Sequence, residues 1–361
     1  MNQQDRRLPG IDALKAVACM LIVWHHLAFY GPMSDVVNAR MPGLIGWLYD
    51  YGRMAVQVFL VVGGFLAAAS LAPQGVASFT QPGRLIVRRY QRLVVPYLVA
   101  LAISVLVSAL VRPWFDDPSV SGAPTLWQLL AHVLLLQDVM GQEALSAGVW
   151  YVAIDMQLFV LSVLIFCVQR SLSRRWPATS ARFGVGLVLL LTVLSLFVFN
   201  RQAGLDMTAL YFFGSYALGM LAFWASNDRR GGPWLWTMAL LGMAALVLDF
   251  RGRIALALVV ALGLFCLQKN AGMRPVCWLQ GRQWLARLGQ MSYSVFLIHF
   301  PVCLLVNALV GRFWPTGVLA NALGMLSAFF LSLLAGWALY RGVESRHAPS
   351  RRLSQAGLIS S

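Results

Sequence analysis

Two ionisable side chains, Lys15 and His26, interrupt the first apolar stretch of the sequence. Eleven residues separate them, a rotation within about 20° of three full helical turns, so both fall on nearly one helix face, about 16.5 Å apart along the axis. Ionisable groups in such a segment face a bundle interior or a wet cavity rather than lipid, and by default they mark a functional site. A neutral imidazole in a partly dry pocket can take a proton from a hydroxyl and return it to a leaving group, which is the work acyl transfer to an alcohol requires. The bland alternative for His26 is a core histidine satisfied by a carbonyl, and its neighbour His25 is open to both readings.

Other residues could join them. Asp12 lies one turn before Lys15 on the same face, so the pair either holds an anionic group or simply ties a snorkelling lysine to the interface. Arg89 and Arg92 are i, i+3 neighbours that can converge on one phosphate-bearing ligand, or form an ordinary basic cluster under anionic lipid headgroups. Asp155 is an acid within an apolar run and needs an intramembrane cation, for which Arg53 or Lys15 would serve. His299 stands two residues before Pro301, which frees the carbonyl of Leu297; an imidazole there could satisfy such a group, a structural role. Glu344, flanked by Arg341 and Arg346 just beyond the last span, reads as a surface or interfacial salt-bridge partner. The five cysteines show no close-spaced ligand pattern, so no metal site is expected and they read as reduced packing residues.

These residues must be positioned by helices in a membrane. Of 361 residues, 59% are hydrophobic and 11% charged, mean hydropathy is +0.71, and apolar runs long enough to span recur along the chain. The fold class expected is all-α, a polytopic transmembrane helix bundle of about ten spans, near residues 12–30, 45–70, 93–112, 148–169, 183–199, 207–225, 233–249, 253–268, 290–310 and 317–340. Gly63-Gly64 in the second span permits close helix approach or a local break.

The net charge of +15 sits in short connections, with no basic region long enough to fold alone, so no nucleic-acid partner is expected. Lys and Arg concentrate in alternate connections, which places both termini in the cytoplasm. The stretch 113–147 contains an apolar piece around Leu129–Leu136 that is too short to span and reads as an interfacial or re-entrant helix. The first apolar run, carrying Lys15 and His26, is expected to stay as helix one rather than be cleaved.

Six segments in order resemble the membrane acyltransferase 3 family, bacterial integral membrane proteins that O-acylate cell-envelope glycans. Ile11-Asp12-Ala13-Leu14-Lys15 followed by His26 is similar to its opening pattern, and Gly52 to Leu66 to its second-helix signature. Arg89-x-x-Arg92 with Pro96 resembles its arginine pair, Trp150 to Phe159 its Trp-Ser-Leu-x-x-Glu-x-Gln-Phe segment, Ser292 to Pro301 its Tyr-Ser-x-Tyr-Leu-x-His-x-Pro segment, and Tyr340 to Glu344 its closing motif. Lys15 stands where Arg is common, Gln57 where an acid is common, Gly63 where Ser is common and Asp155 where Glu is common, departures that bear on the acceptor more than on the reaction.

The resemblance implies an acyltransferase domain over residues 1–345, a short basic cytoplasmic tail at 346–361, and a multi-pass place in the bacterial inner membrane among its lipids. It implies no permanently bound cofactor, an acyl-CoA donor such as acetyl-CoA, and an envelope glycan or lipid-linked saccharide as acceptor, with a separate extracytoplasmic transferase as a possible partner. His26 then becomes the catalytic histidine, acting as a base or carrying the acyl group. Lys15 becomes the essential basic residue, Arg89 and Arg92 the contacts to CoA, and Asp12, His25, Arg53, Asp155 and His299 the supporting polar groups. A transporter or flippase moving a lipid-linked or acylated glycan through the same charged cavity is the competing expectation.

Overall fold

An apolar medium leaves the backbone few ways to satisfy its polar groups, and long runs of Leu, Ala, Val and Phe do so by intrahelical hydrogen bonds. A computed structural model describes residues 9–173, 177–228, 231–270 and 283–347. In chain order its helices are α1 (Pro9–Phe29), α2 (Pro32–Asn38), α3 (Pro42–Tyr51), α4 (Val56–Leu71), α5 (Pro82–Val111), α6 (Leu126–Val133), α7 (Val149–Ser173), α8 (Pro177–Phe197), α9 (Ala209–Asn227), α10 (Gly232–Leu248), α11 (Gly252–Lys269), α12 (Gln283–Phe313) and α13 (Val318–Leu339). There is no strand among the described residues. A 3₁₀ turn, Gly52–Ala55, joins α3 to α4, and a π-helical turn, Tyr340–Glu344, closes α13.

Every predicted span has a counterpart. Among the described residues, nine helical segments are long and apolar enough to cross a membrane; α10 is shorter. Two starts differ from expectation. α5 begins at Pro82, and α12 is already helical at Gln283, the first residue described after 270, so Arg84, Arg88, Arg89, Arg92 and Arg287 are helical residues rather than parts of a connection. Pro82 in the first turn of α5 supplies a preset φ where no amide partner is needed, and arginine is a good helix former. The predicted tail beyond residue 347, like Cys277, lies outside the described residues.

α9 is buried along nearly its whole length and packs against α4, α8, α10 and α11. Backbones touch where it crosses α4: a Cβ on Gly64 would lie 1.8 Å from the Tyr216 carbonyl oxygen. Gly64 is therefore the close-approach glycine of the Gly63-Gly64 pair, and α4 runs through it unbroken.

α12 packs on α1, α5 and α13. It lies parallel to α1, since Gly289 abuts Asp12, Cys19 Sγ donates to the Ser292 carbonyl, and Asn307 binds Tyr30 at the other end. The short apolar piece of the long connection forms α6, capped reciprocally by Thr125 and Gln128. Leu126, Trp127 and Leu130 are exposed while Ala131 and His132 are buried, so α6 presents one uncovered apolar face.

Candidate active site

The parallel register of α1 and α12 brings His26 against His299. His26 Nδ1 lies 2.7 Å from His299 Nε2, and His299 Nδ1 lies 2.7 Å from the carbonyl oxygen of Phe296. These distances assign the protons. A carbonyl only accepts, so His299 Nδ1 carries a hydrogen; neutral His299 then accepts at Nε2, and His26 donates from Nδ1. His26 Nε2 is left with a free lone pair and no partner among the described residues. His299, expected to serve the carbonyl freed by Pro301, instead bonds the Phe296 carbonyl one residue earlier and orients His26, because a three-residue reach along its own helix suits Nδ1.

His26 lines a cavity of about 520 Å³ at the end of the bundle away from the N-terminus of α1, with His25, Tyr30, Asp50, Arg53 and Trp150 also in its wall. His25 is buried, its Nδ1 3.0 Å from the Leu48 carbonyl, and so ties α1 to α3. Arg53 sits in the 3₁₀ turn, exposed at the cavity mouth.

A second cavity, about 210 Å³, opens at the other end, between the N-terminal halves of α1, α5 and α12. Lys15, Arg89, Arg92, Tyr151, Tyr293 and Glu344 line it. Lys15 Nζ lies 3.6 Å from Asp12 Oδ1, both partly exposed, so the sequence neighbours pair as their spacing allows. Lys15 and His26 share a helix but not a cavity.

Asp155 pairs with neither Arg53 nor Lys15. Its cation is Arg89, whose Nη2 lies 2.9 Å from Oδ1 and 2.6 Å from Oδ2, with the guanidinium 5.2 Å from the Phe159 ring centroid. The early start of α5 is the reason, because it carries Arg89 on a helix packed against α7. Arg92 is exposed at the cavity. Glu344 also departs from expectation: instead of a surface ion pair it accepts from Ser294 Oγ at 2.6 Å and lines the cavity, turned inward by the π-helical turn. Such turns recur at functional sites.

Phe296 belongs to the walls of both cavities. Its ring centroid is 5.5 Å from Tyr151, 6.3 Å from Phe59 and 6.0 Å from His299. Gly148 braces it from the far side: with φ +80°, it occupies a conformation suited to glycine, and an added Cβ would come within 2.8 Å of the Phe296 ring. Tyr151, Tyr293 and Phe296 carry no charge that would single them out in the sequence. Their signal is spacing, since Tyr293, Phe296 and His299 recur every third residue and Tyr151 stands one turn before Asp155.

The acyltransferase domain family, acyltransferase 3, matches residues 8–341. Acyltransferase MdmB of Streptomyces mycarofaciens is 24% identical over 370 residues, covering 94% of this chain and 91% of that protein. "Regulator of hypoxia-inducible factor 1" of Caenorhabditis elegans is 24% identical over 191 residues, 49% of this chain, which spans only 38% of that relative's length. No solved structure matches the chain.

Proposed function

The chain belongs to the acyltransferase 3 family of acyltransferase domains, and from that premise we propose that it transfers an acyl group, acetyl in the first instance, from cytoplasmic acyl-CoA to a hydroxyl of a cell-envelope carbohydrate. It is a multi-pass membrane acyltransferase; the donor, the acceptor and the bacterial inner membrane are our reading. The observation that carries it is the His26–His299–Phe296 chain of hydrogen bonds, which leaves His26 Nε2 bare in the wall of one cavity while Lys15 and Arg92 line the other.

In this reading both termini and the Lys15 cavity are cytoplasmic. Lys15 and Arg92 meet the CoA phosphates, for which a guanidinium fork and an ammonium are suited. Arg89, already held by Asp155, shapes that cavity and supplies field rather than a free fork. The thioester end of the donor passes Tyr151 and Phe296 toward His26.

His26 Nε2 then takes the proton of the acceptor hydroxyl as its oxygen attacks the thioester carbonyl. The C–S bond breaks, the CoA thiolate takes the proton back from His26, and an ester and free CoA remain. As the imidazolium forms, its Nδ1–H bond to His299 strengthens, because a charged donor bonds more strongly than a neutral one. By the alternative route the same bare nitrogen attacks the thioester carbonyl, the C–S bond breaks to release the CoA thiolate, and His26 carries the acyl group as an acyl-imidazole; the hydroxyl oxygen then attacks that carbon, the C–N bond breaks, and the hydroxyl proton passes to the thiolate.

Radiolabelled acetyl-CoA supplied to membranes carrying the wild-type chain or His26→Ala tests the reading. Label entering envelope glycans only with wild type is expected, with a loss of about 10²–10⁴-fold in the variant. Equal labelling by both overturns the role of His26. Glycan translocation that survives His26→Ala, without label transfer from any acyl-CoA, favours a flippase. Label retained on the protein in the absence of acceptor selects the acyl-imidazole route.

A further inference from the structure

A third cavity, about 600 Å³, adjoins the one at His26: Arg53, Val56 and Trp150 stand in the walls of both. Three arginines line it, Arg53, Arg251 and Arg253, but they are not equivalent. Arg251 is spent on the fold, donating to Asn200 Oδ1 at 2.8 Å and the Leu196 carbonyl at 2.9 Å, with Asp249 3.6 Å away. Arg253 uses one nitrogen, Nη2, on the Asn200 carbonyl, and lays its guanidinium over Tyr211 with 4.8 Å to the ring centroid. Arg53 has no ion pair or hydrogen bond among the described residues. Two cations therefore retain donors for something else.

Gln57 points to what that is. It is only 6% exposed and lines this cavity, yet its Oε1 has no partner. A buried amide oxygen without a donor is costly, and the residue that carries it stands in the wall of this cavity, where a ligand could bring one. The carboxylates in the wall are Asp206 and Asp138. Asp138 already accepts from Gln137 Nε2, and burial pushes its carboxyl up from the usual range. Trp150, Tyr211 and Phe212 supply apolar faces of the kind that cover the ring of a polar ligand.

We propose that this cavity is the acceptor subsite, and that it binds a saccharide carrying an anionic group, phosphate or carboxylate, between Arg53 and Arg253, with Gln57 Oε1 accepting a sugar hydroxyl. Arg53 and Trp150, common to both cavities, set the distance from that anion to the hydroxyl presented at His26. Asp206 takes a further hydroxyl. The proposal deepens the acyl-transfer reading and rests on it for the word acceptor, but the ligand chemistry can be tested without any donor.

The full-length chain in lipid nanodiscs is titrated at equilibrium with glucose, glucuronate and glucose 1-phosphate. At least one anionic probe should bind about tenfold more tightly than glucose, the worth of one charge-assisted contact. Which anion gains separates a carboxylate-bearing sugar from a sugar phosphate. Arg53→Gln, a substitution at an exposed side chain, should remove that advantage, and Arg53→Lys, which keeps the charge, should retain part of it. Three probes alike, or an anion preference undiminished in Arg53→Gln, overturns the subsite. Binding preference that is present while His26-dependent transfer is absent brings down the acyl-transfer reading alone; transfer without preference brings down only the subsite.

Discussion

His26 Nδ1 and His299 Nε2 lie 2.7 Å apart across 273 residues of sequence. The direction of the bond between them is set by the Phe296 carbonyl, which is itself a backbone group of the helix that carries His299. The proton position on the His26 imidazole is thus fixed by main-chain geometry two hydrogen bonds away.

His299→Leu removes the acceptor for His26 Nδ1–H and frees His26 to adopt the other tautomer. Transfer should fall by about a hundredfold, the lower end of what a general base contributes. His299→Gln, which can accept with Oε1 and donate with Nε2, should recover part of the activity. The ¹⁵N shift of His26 Nε2 should move from an unprotonated value toward an averaged one in the Leu variant. Equal activity in the Leu and Gln variants, with that shift unmoved, would leave His299 as packing alone.

The Arg89–Asp155 pair makes a stability prediction of the opposite kind. Asp155→Asn leaves the half-buried Arg89 without its counter-ion and should cost about 3 kcal/mol, the lower part of the range for breaking a buried pair because Arg89 keeps contact with a cavity. Replacing both, as Arg89→Met with Asp155→Leu, should cost less than the single change. Thermal unfolding of the purified full-length chain compares them, and a double variant less stable than Asp155→Asn contradicts the pairing account.

How far the residues themselves announced this arrangement depends on the range of the interaction. The spans were legible because apolar length is a local property, and Asp12 with Lys15 because one helical turn separates them. The early turns of α5 and α12 were not, since their apolar runs, Leu85-Ile86-Val87 and Trp284-Leu285-Ala286, are short and are cut off from the spans by Arg88, Arg89 and Arg92 and by Arg287. That Asp155 needs a cation follows from burial; that the cation is Arg89 follows only from how α5 lies on α7. Glu344 looked exposed by position, and a single π-helical turn faces it inward. Gln57 and Arg253 meet in one cavity through packing of α4 near α11, a relation no spacing encodes.

Phe296 carries a prediction about coupling. Phe296→Ala opens the aromatic contact with Tyr151 and Phe59, admits water to the thioester, and should lower the ratio of acetyl transferred to CoA released by at least about twofold. Phe296→Leu, which keeps an apolar side chain and guards against a folding defect, should fall between wild type and Ala. An unchanged ratio in both variants would show that the ring does not partition the two cavities.

A ring shared by two opposing chambers also bears on the bilayer itself. A protein that handed a group from one compartment to the other through a standing passage would short-circuit the proton gradient that its host membrane maintains. In the proposed reading, the cluster of Phe296, Tyr151 and Phe59 stands between the two cavities and would insulate the aqueous phases from each other between turnovers. Widening that contact for faster catalysis would therefore be paid in membrane energisation, a tax on the whole cell rather than on the enzyme.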